Sequence, residues 1–234
     1  MSITVSRKLV GGLLAVVAGS LFLGGWALGV LTAQPRSALT VKTAPSSPPS
    51  HAAGTSTASN PFVVGTSFPF TTSQVETLTG HVTHLARGSR ATIVMAMASW
   101  CLFCGYEDKY VLPVLARTPG VVVDIVDVSP QGGIADPGPA TPPFHGHDGA
   151  GGPLTVAGMR TTMQHYVQTY GLAKTAIHVY VAPTATQQAW HVSAFPSLAF
   201  LNARGTVVVA PPGALTIAQG RTALDEALSG SSAS

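Results

Sequence analysis

The residues with the clearest chemical potential are Cys101 and Cys104, the only two cysteines of the 234-residue chain, in the run Trp100-Cys101-Leu102-Phe103-Cys104. Such a pair suits three chemistries: a structural crosslink, a metal site, or reversible oxidation. As a crosslink it closes a loop of four residues, which restricts the unfolded chain by about 2 kcal/mol, less than half of what a long-range bridge gives. A four-thiolate zinc site needs a second cysteine pair, which the chain lacks. Reversible oxidation makes better use of the spacing. Cysteines at i and i+3 of a helix share a face, so their sulfurs can meet. The free N–H groups at a helix start favour a thiolate on the first of them. Cys101 then attacks a partner sulfur and Cys104 resolves the mixed disulfide.

Something must carry that pair to a helix start. Residues 91–99, Ala-Thr-Ile-Val-Met-Ala-Met-Ala-Ser, form a nearly continuous apolar run that ends at Trp100. This is the pattern of a strand covered on both faces. Residues 121–128 and 177–181 read as further strands, and 161–170 as a helix stopped by Gly171. Residues 197–201 and 206–209 flank Asn202-Ala203-Arg204-Gly205 as a hairpin. Ile217, Leu224 and Leu228 mark a closing helix, weakened by Gly220 in its interior. Near the start, Ser73-Gln74-Val75-Glu76 has capping-box spacing, and Val75, Leu78, Val82 and Leu85 recur on one helical face. A helix is expected there, with His81 and His84 one turn apart on its solvated side or as half a metal site. The order is mixed α/β in one domain, residues 62–229, with a disordered tail at 230–234.

One segment does not fit a short connection. Residues 130–153 hold seven Gly, six Pro and no hydrophobic period. Within them Phe144-His145-Gly146-His147-Asp148 offers three potential ligands for copper or zinc. A mobile flap over the active face, or a plain surface loop, are the other readings.

The N-terminal part has a different composition. Residues 9–33 run 25 residues without a charge after Arg7 and Lys8. As a helix this stretch covers about 37 Å, enough for a hydrocarbon core. A transmembrane anchor or uncleaved signal is expected, with residues 1–8 in the cytoplasm and the remainder exported. Residues 34–61, rich in Pro, Ser, Thr and Ala, read as a flexible linker. From Phe62 onward eight Lys and Arg face nine Asp and Glu. That near-neutrality leaves no basic stripe for nucleic acid.

Trp-Cys-x-x-Cys at a strand-to-helix junction resembles the thioredoxin superfamily. The segment Trp190-His-Val-Ser-Ala-Phe-Pro-Ser-Leu-Ala-Phe-Leu-Asn-Ala-Arg-Gly-Thr-Val-Val208 is similar to that family's cis-proline strand and hairpin. The resemblance covers roughly residues 62–228 and is nearest to membrane-tethered, extracytoplasmic thiol–disulfide oxidoreductases of the TlpA/ResA type. It implies an α/β thioredoxin-like fold, with a central mixed sheet flanked by helices and an added helix–strand unit at 161–181. It also implies a cis Phe195–Pro196 bond facing the cysteines, beside backbone that pairs with an extended substrate. By the same resemblance Glu107, three residues after Cys104, is a proton acceptor. Trp100, Phe195 and Pro196 form the rest for the substrate. Two departures stand out. Met95 occupies the place of thioredoxin's buried aspartate, and Pro113 follows Cys104 by nine residues instead of five. An extra helical turn or a different bend beside the active site is expected.

The function expected is a membrane-anchored, extracytoplasmic oxidoreductase exchanging electrons with protein cysteines and recharged by a redox partner. Leu-Phe between the cysteines adds no positive charge, which leans the pair toward reduction. No cofactor is implied, since the sulfurs carry the electrons. The alternatives are a copper-handling thioredoxin-like protein that binds Cu(I) on its thiolates, and a non-catalytic adaptor.

Overall fold

The computed structural model describes residues 60–140 and 145–230. In it the apolar run ending before Trp100 is strand β3 (Ala91–Met97), buried at every residue. To one side lies β4 (Val121–Asp127), parallel and in register from Ala91↔Val121 to Met97↔Asp127. To the other lies β6 (Ser197–Asn202), antiparallel, with Ala96 opposite Ser197. Four more strands, β1 (Gln74–Thr77), β2 (Val82–His84), β5 (Ile177–Val181) and β7 (Val207–Val209), extend the sheet to the order β2-β1-β5-β4-β3-β6-β7.

Both faces of the centre are covered, which is why β3 shows no polar alternation. Ile93, Met95, Met97, Val123 and Ile125 face a core shared with α1 (Leu102–Tyr106), α2 (Leu112–Leu115), α3 (Val156–Tyr170) and α5 (Ile217–Ser229). Val94, Ala96 and Val126 face a second core under Phe62, Phe68 and Trp190, the last residue of α4 (Thr184–Trp190). Those three aromatic rings meet edge to face at 5.6–6.0 Å. Each fully buried side chain of this size contributes roughly 1.5–3 kcal/mol.

Local chemistry accounts for the boundaries. Thr155 caps α3, its Oγ1 accepting from Gly158 N at 3.2 Å, so the helix starts five residues earlier than its periodicity suggests. Gly171 ends it in the left-handed region at φ 69°. Gly220 has a packing reason: a Cβ there would lie 3.0 Å from Leu115 Cδ1 and 3.1 Å from Val111 Cγ1, so its absence lets α5 close on the active-site helix.

The helix expected from Ser73 onward is instead the β1–β2 hairpin. The Val and Thr residues of the segment favour extended backbone, and Gly80 turns the chain at φ +87°. The Glu76 carboxylate and Arg160 of α3 form an ion pair that ties the hairpin to the helix. His81 and His84 therefore belong to the hairpin, not to a helical face.

Residues 130–140 and 145–153 form a ribbon docked on the rest of the domain. Its arms pair through Gln131↔Pro153 and Asp136↔His147 bridges, with Gly132 N donating to Gly152 O at 2.8 Å. The arms lie so close that a Cβ on Gly146 would sit 1.8 Å from Asp136 O, and one on Gly149 2.5 Å from Ile134 N. The glycine content thus reflects close backbone packing.

The membrane expectation is corrected. Among the described residues no helix is long and apolar enough to cross a membrane; α3, the longest, has 15 residues and carries Arg160, Gln164 and His165. The 9–33 run lies outside the described residues. A transmembrane helix as part of the fold, single-pass attachment, an extracytoplasmic placement that depended on it, and the membrane as a partner are accordingly not retained.

Candidate active site

Cys101 is the N-cap of α1, reached from β3 through a turn in which its N–H donates to Ala98 O at 3.0 Å. Its Sγ accepts from Cys104 N at 3.3 Å, and its carbonyl accepts from Gly105 N at 3.0 Å. Both cysteines are free thiols; Cys101 is 4% exposed and Cys104 fully buried. Their surroundings pull in opposite directions. A hydrogen bond from the Cys104 thiol, with the N–H groups of Cys104 and Phe103, draws Cys101 below the ordinary thiol range, against its burial and the charge of Asp148. Burial pushes Cys104 well up, and the Cys101 sulfur adds to it.

Beyond Cys104 the helix departs from α geometry. Glu107–Val111 is a π turn, with Leu112 N donating to Glu107 O. Pro113 has no N–H for a continuing ladder and stands at the start of α2, so the bend expected beside the site takes this form. The wide turn directs two successive acids inward. Glu107 and Asp108 are both fully buried, where a regular surface helix turns one of such a pair to water.

They point to different places. Glu107 Oε1 accepts from Leu215 N, just before α5. Burial raises its carboxyl to about 8, against that hydrogen bond and with help from Asp108. Asp108 Oδ2 accepts from the Tyr166 hydroxyl of α3 at 2.6 Å, and Oδ1 has no partner among the described residues. Burial raises Asp108 to about 8 as well, and here the Cys101 charge contributes. Asp108 in turn pushes Cys104 up. Of these two acids, the one in electrostatic contact with the sulfurs is Asp108, while Glu107 is anchored toward α5. Asp127, at the end of β4, is a third buried carboxyl raised to about 8 by burial, against N–H groups of Ser129 and Ser99.

The rim is aromatic. Trp100 donates from Nε1 to Ser129 Oγ at 2.9 Å, and its ring meets Phe195 edge to face at 5.8 Å. Phe195–Pro196 is cis. Pro196 precedes Ser197, which pairs with Ala96, so it enters β6 level with the end of β3. Trp100, Phe195 and Pro196 are thus gathered with the cysteines at one end of the central strands, and Phe103 is 42% exposed beside them.

The ribbon completes the rim. Asp148 Oδ1 accepts from Leu102 N at 2.8 Å, Gly149 N donates to Trp100 O at 2.7 Å, and Ala135 N donates to Ser99 O at 3.0 Å. Three tyrosine hydroxyls fasten it from below: Tyr106 to Ala140 O at 3.2 Å, Tyr110 to Gly138 O at 2.6 Å, and Tyr170 to Ala135 O. Among the described residues no group of three or more His, Cys, Asp or Glu side chains is placed to hold a metal.

Sequence reasoning singled out Asp148 only as a metal ligand and missed Asp108, Tyr166 and Asp127. Asp108 had a readable signal: it stands four residues after Cys104, on the same helical face. The hydroxyl of Tyr166 lies 58 residues from its partner and had none.

No protein-family model matches the chain, and no curated protein matches it in sequence. Among solved structures, it is similar to a secreted Mycobacterium tuberculosis disulfide oxidoreductase homologous to E. coli DsbE, at 18% identity over 65% of this chain and 93% of that one, TM-score 0.44. A putative electron transport protein of Aquifex aeolicus matches at 15% identity over 70% and 98% of the two chains, TM-score 0.49. An uncharacterized conserved protein of Geobacillus kaustophilus matches at 17% over 73% and 85%, TM-score 0.49. By its own strand order, with the closely spaced cysteine pair on the helix that follows central strand β3, the chain has a thioredoxin-like α/β fold.

Proposed function

We propose that the protein exchanges two electrons with cysteines of other proteins through Cys101 and Cys104. The observation that carries the reading is their asymmetry: Cys101 at the helix start is drawn toward thiolate, while Cys104 one turn inside is held as a thiol. In the reducing direction the Cys101 thiolate attacks one sulfur of a substrate disulfide. A bond forms between Cys101 Sγ and that sulfur, and the other substrate sulfur leaves as a thiolate. Cys104 then gives up its proton and attacks Cys101 Sγ. The mixed disulfide breaks, the second substrate thiolate departs, and a Cys101–Cys104 disulfide remains. A redox partner returns the two electrons.

Asp108 in its ionised form is the acid best placed to take the Cys104 proton: its carboxyl is raised to about 8, so a fraction is ionised at neutral pH, and it is hydrogen-bonded to Tyr166 and senses both sulfurs. Glu107, behind it and bound to Leu215 N, modulates that transfer through its charge on Asp108 and Asp108's on it. Trp100, Phe195 and Pro196 form the platform for the substrate segment, supported by their position beside the dithiol. The finer likeness to TlpA/ResA-type oxidoreductases is supported by the α3–β5 unit between β4 and the Phe195–Pro196 bond. A lean toward electron donation is supported by the burial and the Asp148 charge, which both limit thiolate stabilisation at Cys101.

Insulin reduction by the full chain, driven by dithiothreitol, tests the reading. Turnover above the dithiothreitol rate is expected, with Cys104→Ala held as a mixed disulfide to insulin through Cys101. No acceleration, with both thiols titratable, would refute it.

A further inference from the structure

The ribbon formed by residues 131–140 and 145–153 has no part in the exchange step, yet it is bonded to three points of the dithiol loop. Ala135 N holds Ser99 O, Gly149 N holds Trp100 O, and the Asp148 carboxylate holds Leu102 N. Tyr106, Tyr110 and Tyr170 hold the ribbon at Ala140, Gly138 and Ala135. Its arms pack backbone to backbone at Gly146 and Gly149, so the separation between Asp148 and α1 is fixed by close packing rather than by a long side chain.

We propose that Asp148, carried by this ribbon, is a positioning residue for Cys101: it seats the first turn of α1 through Leu102 and sets the negative potential that the attacking sulfur meets. The inference rests on Cys101 being the nucleophile.

The physical content is a trade between two effects of one carboxylate. By accepting from Leu102 N, Asp148 takes one of the free N–H groups of the helix start and leaves those of Phe103 and Cys104 to the sulfur. By standing near Cys101 with a full charge, it opposes the thiolate. A loop that stiffens the nucleophile's turn thus also restrains its acidity. The other titratable groups that face Cys101 are Cys104 and Asp108 along its own helix and Tyr170 on α3. All three are more deeply enclosed than Asp148, which is exposed and so answers to salt.

The variants separate the two effects. Asp148→Asn keeps an oxygen for Leu102 N and removes the charge; Asp148→Glu keeps the charge. In the Cys104→Ala background of the full chain, iodoacetamide rates at Cys101 are followed from pH 4 to 10. Asp148→Asn is expected to lower the titration midpoint and raise the rate below it about three- to fivefold, the order of the effect of one nearby charge in a water-like dielectric. Asp148→Glu should restore the parent profile, and about 1 M salt should move the parent toward the Asn variant. A merely structural Asp148 would change the melting temperature of Asp148→Asn and leave the midpoint in place, which would overturn the proposal, as would a midpoint that rises. Alkylation needs no turnover, so loss of the oxidoreductase reading would show separately, as absent insulin reduction by the parent chain.

Discussion

At the rim of the site Cys101 is surrounded by backbone N–H groups, aromatic rings and a charged ribbon; at its floor, one turn deeper, Cys104 is surrounded by apolar side chains and neutralised acids. The same functional group has opposite tendencies in the two places. At the rim, fixed dipoles reach the sulfur and tune it finely. At the floor, desolvation outweighs every hydrogen bond, so Glu107 and Asp108 are raised to about 8 despite a donor on each and keep only a fraction ionised near neutrality. The lesson is that a two-thiol reaction needs no cofactor to give its thiols different roles. One helical turn of depth is enough.

The largest consequence is kinetic. At pH 7 Cys101, studied in Cys104→Ala, should alkylate at least about 100-fold faster than Cys104 studied in Cys101→Ala, because Cys101 keeps the backbone N–H groups of the helix start and the better access, while Cys104 stays desolvated. Comparable rates at the two sulfurs would erase the distinction between rim and floor.

The next effect separates the two acids of the floor. Asp108→Asn should slow resolution of the Cys101 mixed disulfide on the order of 100-fold, the usual worth of a placed proton acceptor. Glu107→Gln should slow it less than about tenfold, since its carboxyl is engaged by Leu215 N. Stopped-flow release of a fluorescent thiol leaving group reads both. The reverse order would return the proton to Glu107 and leave Asp108 as packing.

A smaller effect concerns stability. Glu107, Asp108 and Asp127 have folded values of about 8, against roughly 4 in an unfolded chain. Between those limits the folded state binds more protons than the unfolded state, so stability falls as pH rises. It is fully present below about pH 4 for these groups and fully lost above about 8. The slope is at most on the order of 1 kcal/mol per pH unit for each group. Urea midpoints should therefore decline from pH 5 to pH 8, and Asp108→Asn should flatten the decline. A midpoint that rises over that interval would show the floor to be ionised.

Much of this could be read in the residues. β3, β4, β5, the β6–β7 hairpin, α3 and α5 all announced themselves, because each carries an apolar run or stripe bounded by a turn or cap. The β1–β2 hairpin did not. Val75, Leu78, Val82 and Leu85 satisfy a helical period by coincidence, and the tie from Glu76 to Arg160 that fixes them as strands spans 84 positions. The rim was legible because Trp100, Cys101, Cys104 and the Phe195-Pro196 pair are motif residues. The floor was not. Whether position 107 or 108 faces the sulfurs depends on a π turn of one extra residue, which Pro113 permits but no periodicity announces. The ribbon was legible as an anomaly only. Its glycines signalled something other than an ordinary connection, and its docking rests on tyrosines from two distant helices.

The central claim is that Cys101 and Cys104 interconvert between dithiol and disulfide as a two-electron couple. Equilibration of the full chain across a series of dithiothreitol redox buffers, with alkylation of remaining thiols and mass measurement, tests it most directly. One transition with a two-electron slope is predicted, in which both thiols disappear together and no mass near twice the chain is formed. Thiols that persist under the most oxidising buffers, or that vanish only as intermolecular disulfides, would contradict it.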